Sequence, residues 1–485
     1  MGLKQTTGLW LGPLAGLIVY LLPLDGLTPS AHTLAAILTW VVIYWITEPV
    51  PLPITALLGT TFCVIAGLGS VKAVFASYAH PIIFLFIGSF FIAEALAVHG
   101  VHRRMALWIL SREWVGGKPA RVALALTATT AFMSMWISNT AATAIMLPIV
   151  LGIIATMREG GRRDPSYETG LMLLVAYGAG VGGVATIIGT PPNLIGVAFL
   201  SEQAGYEMSF FSWMALGLPV SVLMLILAYT LVSWLHGSSV PTGDFQQHVK
   251  AQWAGLGTWT RGEKNACVSF GAAITLWIIP GLAAALWGPG HDVAIWFKTH
   301  LPKELVAILA AGLLFFLPVN WQEGRFTLSW REAANINWGI ILLFGGGLAF
   351  GHLMVETKLA ATVGEGMVHV LGVESVWALT AVAILATLVL TELASNTASA
   401  SMLVPVVIAI AQTLGVPVLP PTLAVCMAAS LAFVLPVSTP PNAIVYGSGL
   451  VPITKMVRAG LLLDLLGGIL IWGLLRGLCP LLGMA

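Results

Sequence analysis

Ser138, Asn139 and Thr140 carry hydroxyl and amide oxygens into an otherwise apolar run, between arms at 121–137 and 141–157. The same tripeptide returns at Ser395, Asn396 and Thr397, and the agreement extends along SNTAATAIMLPIV (138–150) and SNTASASMLVPVV (395–407). Pro148 and Pro405 each stand ten residues after the serine. Ser, Asn and Thr cap helix N-termini with side-chain oxygens, so each tripeptide is a place where one helix ends and another begins. The ending arm presents unpaired carbonyls with about half a negative charge; the starting arm presents N–H groups with about half a positive charge. Carbonyls with Ser and Asn oxygens suit a hard alkali cation, and N–H groups with Ser and Thr hydroxyls suit a carboxylate or another oxyanion.

A second pair of interruptions follows the first: Thr190-Pro191-Pro192-Asn193 and Thr439-Pro440-Pro441-Asn442. Proline lacks the N–H and clashes with the preceding turn, at about 3 kcal/mol in a helix interior, and it pushes the residue before it out of the helical region. At membrane depth such a break is tolerated where it lines a cavity or packs on protein. The glycines of YGAGVGGVATIIGTPPN (177–193) allow an ion or another backbone to approach closely. A lone SNT is an ordinary capped turn. Two copies with matched flanks, followed by two matched TPPN breaks and preceded by IIFLFIGSFF (82–91) and IILLFGGGLA (340–349), define two related halves.

The surrounding elements are set by composition. With 485 residues, 58% hydrophobic, 8% charged and a mean hydropathy of +0.94, the chain is a polytopic membrane protein. Apolar stretches at 9–24, 32–47, 53–69, 81–98, 171–188, 211–235, 266–287, 304–318, 337–354, 421–437 and 459–475 have the length of membrane helices, and the two SNT segments come in addition. Arms of ~17 residues leave open whether those two segments cross or turn back. With the N-terminus in the cytoplasm, eleven single crossings and SNT segments that return to their own side, 16 of the 21 Lys and Arg fall inside. The same parity makes the halves inverted, with a shared site near the midplane.

No Lys or Arg occurs at 122–157, 164–236 or 359–454, the regions that hold all four motifs. Charge for a bound anion must then come from helix ends and co-bound cations. Glu392, in LTELASNT, is the only acid near the second motif and is either a hydrogen-bond partner or a proton or cation relay. Glu48 reads as a hydrogen-bonded structural acid at the proline-rich break of Pro49, Pro51 and Pro53, His80 and His352 as structural groups at segment ends, and Cys63, Cys267, Cys426 and Cys479 as packing residues. HRRMALWILSREW (102–114) and HLMVETKLAATVGEGMVHVL (352–371) read as interfacial amphipathic helices, and 236–264 as a polar loop joining the halves. The chain has no GxxxxGK[ST], HExxH or GxSxG and no paired acids in the apolar core, so neither an ATP-driven pump nor an enzyme is expected. A channel is disfavoured, because double breaks in inverted halves suit alternating access.

The paired SNT and TPPN motifs and the phrases MSMWISNTA (133–141) and STPPNAIVYGSG (438–449) resemble the divalent anion:sodium symporter family, solute carrier family 13, over nearly the whole chain. The resemblance implies an all-α protomer of eleven transmembrane helices and two re-entrant hairpins in inverted repeats, dimerising through a scaffold and moving its transport domain as an elevator. The scaffold would comprise 1–114 and 265–371, the transport domain 115–235 and 372–485, with 236–264 as cytoplasmic linker. Sodium would bind Ser134, Ser138, Asn139 and Gly189 at one site and Thr391, Ala394, Asn396 and Ser438 at the other. Substrate carboxylates would meet Asn139, Thr140, Thr190, Ser395, Asn396, Thr397, Thr439 and Pro440. Ser438 stands where the family often has Ala, and Thr190 where some members have Ser.

The expected activity is sodium-coupled import of a C4-dicarboxylate such as succinate, malate or fumarate across the plasma (inner) membrane. Alternatives are a sodium-independent dicarboxylate exchanger and a sodium-coupled citrate or sulfate transporter, which SNT does not separate. Sodium is expected as the coupling ion with no other cofactor, and the expected partners are the dicarboxylate, sodium, the bilayer and a second copy, without nucleic acid.

Overall fold

The computed structural model describes residues 2–24, 26–116, 118–238, 245–288 and 290–484. The first apolar stretches become α1 (Leu3–Leu21), α2 (Pro29–Thr47), α3 (Leu52–Ile65), a short α4 (Val71–Ala76) and α5 (Pro81–Val98). Thr28 caps α2 by accepting Ala31 N–H at 3.1 Å, and Pro29 opens its first turn. The proline-rich break ends α2 at Glu48, which adopts a left-handed φ of 50°. Its carboxylate is exposed and makes no hydrogen bond among the described residues, which corrects the expectation of a hydrogen-bonded acid.

The first half continues with α6 (Val101–Leu110), α7 (Pro119–Ser134), α8 (Asn139–Glu159), α9 (Pro165–Gly183), α10 (Pro191–Ala204) and α11 (Phe210–His236). The second half has α12 (Phe245–Gly255), α13 (Arg261–Trp287), α14 (Asp292–His300), α15 (Lys303–Phe316), β1 (Pro318–Asn320) and β2 (Arg325–Phe326). It then runs through α16 (Trp330–Ala333), α17 (Trp338–Glu356), α18 (Leu359–Leu371), α19 (Val376–Leu393), α20 (Asn396–Leu414), α21 (Leu419–Ala428), α22 (Pro440–Gly447) and α23 (Ile453–Leu481).

Four local differences from the sequence reading have physical causes. The β1–β2 hairpin departs from an all-α chain: Asn320 Oδ1 accepts Gln322 N–H at 3.0 Å, and Gly324 takes a φ of 60° to close the turn. The joining loop at 236–264 contains α12, which packs on α6, while its residues 239–244 lie outside the described residues. The amphipathic segment at 352–371 is split at Lys358, whose φ is 66°, so its first turn belongs to α17. The apolar stretch 421–437 stays helical only to Ala428, because the next eleven residues, 429–439, form the break before Pro440.

Among the described residues nine helices have the length and apolarity of membrane spans, and α14 with α15 adds a pair bent by 66°. α8, α19 and α20 are among the nine; α7, at 16 residues, is not. Length therefore leaves the SNT arms free to cross or to turn back.

Packing repeats in the two halves. α7 lies against α9 as α19 lies against α21, and α9 against α11 as α21 against α23. Other contacts exchange between the halves: α3 packs on α17 and α5 on α15, while α8 packs on α22 and α20 on α10. Glycine allows the closest crossings. A Cβ on Gly182 would sit 2.2 Å from Ala131 O of α7, and one on Gly88 would sit 2.5 Å from the Ala307 carbonyl carbon of α15. α9 is buried on every side from Tyr167 to Gly183, so other helices stand between it and the surroundings.

Candidate functional site

At the first tip, α7 ends at Ser134, three residues turn, and Ser138 caps α8 in extended backbone (φ −61°, ψ 144°) with Oγ accepting Ala141 N–H at 3.2 Å. Ser134 Oγ donates to Asn139 Oδ1 at 2.7 Å, across the turn. The break after α9 folds over this tip. Thr186 Oγ1 donates to Met135 O at 2.5 Å, and a Cβ on Gly183 would come within 2.7 Å of Asn139 Oδ1. Gly189 in turn presses on Gly183, where an added Cβ would meet the carbonyl oxygen at 2.5 Å. Ser134, Asn139 and Gly189 are thereby gathered around one point, with Ser138 next to Asn139 at the helix start.

The second tip is built alike. α19 ends at Leu393, Ala394 is extended (φ −128°, ψ 169°), and Ser395 caps α20 with Oγ accepting Ala398 N–H at 3.2 Å. Thr391 Oγ1 lies 2.9 Å from Asn396 Oδ1 and 2.8 Å from Ala429 O, a hydroxyl placed between two acceptors. Ser438 reaches the same helix end differently, donating from Oγ to Glu392 Oε2 at 2.5 Å. Thr190 and Thr439 are the residues before α10 and α22, both in extended backbone as the following proline requires.

Exposure divides the predicted residues. Ser138, Thr140 and Pro440 are exposed, and Asn139, Ser395, Asn396 and Thr439 are half-buried. Ser134 and Thr391 are fully buried, and Thr190 (3%) and Thr397 (9%) are shielded more than their assigned substrate contact implies. The donor set is neutral oxygen throughout: hydroxyls, amide oxygens and carbonyls. That chemistry fits a hard monovalent cation better than zinc or copper, which take thiolate and imidazole. Among the described residues no group of three His, Cys, Asp or Glu gathers as a metal cluster.

Sequence reasoning missed the residues that support the tips from behind. Trp213 Nε1 and Ser221 Oγ of α11 donate to Val184 O and Val181 O at 3.0 and 2.9 Å, the first a carbonyl beyond the end of α9 and the second one that also accepts Val184 N–H. Tyr177 Oη donates to Phe433 O at 3.2 Å, so α9 of the first half holds the break of the second. The only signal in the sequence was a polar atom on an apolar helix. Glu392 takes the hydrogen-bonding role: it accepts Val434 and Leu435 N–H at 3.0 and 3.1 Å as well as Ser438 Oγ. Asp464 of α23, buried at 4% exposure, hydrogen bonds to Glu392, so the apolar core does hold a pair of acids, which corrects the sequence reading; they are 72 residues apart and only packing brings them together.

The structural readings of the histidines and cysteines agree with their geometry. His80 caps α5 by accepting Ile82 N–H at 3.3 Å, and His352 pairs with Glu356 at 3.2 Å on the same helix. The four cysteines are free; Cys63, Cys426 and Cys479 are buried and Cys267 is half-buried. α6 is anchored through Arg104, which donates from Nε to Glu263 at 2.5 Å and from its guanidinium nitrogens to Gly257 O and Leu256 O at 2.9 and 3.0 Å.

Long apolar helices packed in two halves, each with a neutral oxygen cluster at a helix break, define a multi-span membrane protein. The chain belongs to the family described as "Sodium:sulfate symporter transmembrane region", whose profile matches residues 4–484, the divalent anion:sodium symporters. It is 33% identical over 478 residues to the sodium-dependent dicarboxylate transporter SdcS of Staphylococcus saprophyticus, covering 96% of this chain and 90% of that protein. The protein of the same name from Staphylococcus aureus NCTC 8325 is 34% identical over 479 residues, with the same coverage. In fold the chain is similar to the Alcanivorax borkumensis YdaH transporter (TM-score 0.56, 13% identity, 99% of this chain and 98% of that one). It is likewise similar to Neisseria gonorrhoeae MtrF (TM-score 0.57, 12% identity, 98% and 94%).

Proposed function

We propose that this protein is a secondary active transporter that imports C4-dicarboxylates, such as succinate, malate and fumarate, together with sodium. The observation that carries the reading is the matched pair of hydroxyl–amide contacts, Ser134 with Asn139 and Thr391 with Asn396, each beneath a helix start capped by serine. Sodium would take Ser134, Ser138, Asn139 and Gly189 at one tip and Thr391, Ala394, Asn396 and Ser438 at the other. The carboxylates would take Asn139, Thr140, Thr190, Ser395, Asn396, Thr397, Thr439 and Pro440. The name carried by the relatives, sodium-dependent dicarboxylate transporter, supports this choice of ion and solute. A dianion held by helix starts alone would keep an unbalanced charge in a low-dielectric site, and two co-bound cations relieve it.

Alternating access follows from the inverted halves. Residues 115–235 and 372–485 would move as the transport domain against a dimeric scaffold of 1–114 and 265–371, with the N-terminus in the cytoplasm of a plasma-membrane protein. The exchanged contacts support this grouping, since α3–α17 and α5–α15 join scaffold segments while α8–α22 and α10–α20 join transport segments.

Uptake of labelled succinate into proteoliposomes tests the activity, under an inward sodium gradient or with potassium in its place, each with and without internal succinate. Uptake that requires sodium and no internal substrate is expected. Uptake indifferent to sodium but dependent on internal dicarboxylate would replace the symporter with an exchanger, and uptake of sulfate or citrate alone would replace the substrate.

A further inference from the structure

Asn193 and Asn442 end the two TPPN motifs, and both are fully buried (0% exposed). Asn193 Nδ2 donates to Gly183 O at 2.9 Å and to Thr186 O at 2.8 Å. Asn442 Nδ2 donates to Ala432 O at 2.9 Å and to Leu435 O at 3.0 Å. In both halves the acceptors lie ten and seven residues before the asparagine. Two carbonyl acceptors fix which end of each amide is nitrogen, because an amide oxygen cannot donate to them. The other end is then an oxygen, and both Oδ1 atoms are buried without a hydrogen-bond partner.

A buried acceptor left without a donor costs about 1–3 kcal/mol and calls for a reason. Here the same orphan occurs at corresponding places in two halves whose surrounding side chains differ. The bonded carbonyls belong to the segments that cover the SNT tips. Gly183 is the glycine seated against Asn139 Oδ1, and Thr186 is tied to Met135 O. Leu435 donates its N–H to Glu392, which also binds Ser438. Each asparagine therefore crosses its own break and fixes the backbone next to one oxygen cluster.

We propose that Asn193 and Asn442 are paired positioning residues for the two cation sites, their nitrogens stapling the breaks over the hairpin tips and their oxygens serving as acceptors for the bound cation or a water on it. The proposal rests on the sodium-coupled reading above and adds two residues to it. It accounts for the asparagine in each TPPN, which the prolines alone do not require. Groups that orient metal ligands from behind are worth about 10–100-fold in metal affinity.

The test is the sodium-dependent rise in unfolding temperature of the full chain in detergent, with potassium as the control salt and no substrate present. Asn193→Ala and Asn442→Ala should each raise the sodium concentration at half-maximal stabilisation about 10–100-fold. Asn193→Leu and Asn442→Leu keep nearly the same shape but lose both the two-donor nitrogen and the acceptor oxygen, so they serve if an alanine variant does not fold, and the same shift is expected. A lower unfolding temperature with an unchanged sodium half-point in the folded variants would make these residues merely structural and overturn the proposal, leaving sodium coupling intact. A wild-type protein that does not respond to sodium would overturn both.

Discussion

The two breaks are held by different means over tips that are nearly the same. In the first, backbone lies on backbone: Gly189 sits so close to Gly183 that a Cβ would meet its carbonyl oxygen at 2.5 Å. In the second, Ser438 occupies the position before the TPPN threonine and reaches the Glu392 carboxylate at 2.5 Å. Met135 stands where the other half has Glu392, three residues before the SNT serine, and offers only its carbonyl, to Thr186. The tips themselves keep a hydroxyl–amide contact and a serine cap in both halves. Duplication preserved the group that would meet a cation and let its support drift, because a backbone can be held by packing or by a carboxylate with similar effect.

The largest effect is expected where the halves agree. Asn139→Ala and Asn396→Ala should each abolish sodium-dependent succinate uptake while leaving the protein folded; retained uptake in both would remove the site assignment. Next comes Gly189→Ala, where the new methyl must displace backbone. Overpacking of this kind costs about 1–3 kcal/mol, and uptake should fall with it, so an unaffected Gly189→Ala protein would show that the first break is not held by close packing.

In the second half the carboxylate takes that part. Glu392→Gln keeps the size but sets an amide nitrogen against one of the donors from Val434, Leu435 and Ser438, a loss of about 1–3 kcal/mol. Thermal unfolding should drop accordingly, and no change would deny Glu392 its supporting role. Ser438→Ala removes one donor and leaves two, so a smaller loss of about 1 kcal/mol is expected; a larger one than for Glu392→Gln would reverse the ranking.

The smallest effect sharpens the contrast at the other end of the broken helices. Asp164 caps α9 by accepting Ser166 and Tyr167 N–H, whereas Val418 at the start of α21 makes no side-chain cap. Burial by itself would raise the Asp164 carboxyl, but hydrogen bonds from Ser238, Tyr167 and Ser166 outweigh it and hold the group below the ordinary carboxylate range. A depressed value means that this stabilisation is complete above the unfolded-state pKa and is lost as the pH falls through the folded one. Protection of the amides in the first turn of α9, taken relative to their intrinsic exchange at each pH, should therefore fall on acidification while that at the start of α21 does not; parallel behaviour of the two would sink the cap as the cause.

Much of this was legible in the chain. Apolar length placed the helices, and Ser138 and Ser395 cap α8 and α20 where the tripeptides predict, because capping depends on a few neighbouring atoms. Proline likewise forced the turns before α10 and α22. The helix that stops at Ala428 was less legible, since an apolar run to residue 437 carries no mark of a break until Pro436.

The sequence by itself determined a duplicated membrane protein with two capped tips and two proline breaks, since composition, caps and prolines act locally. Tertiary structure alone decided which helices exchange between the halves, that Glu392 serves Val434, Leu435 and Ser438, and that Asn193 and Asn442 turn inward as staples. In helices apolar on nearly every face, periodicity names no inner side; only packing tells a polar atom which backbone group it will meet.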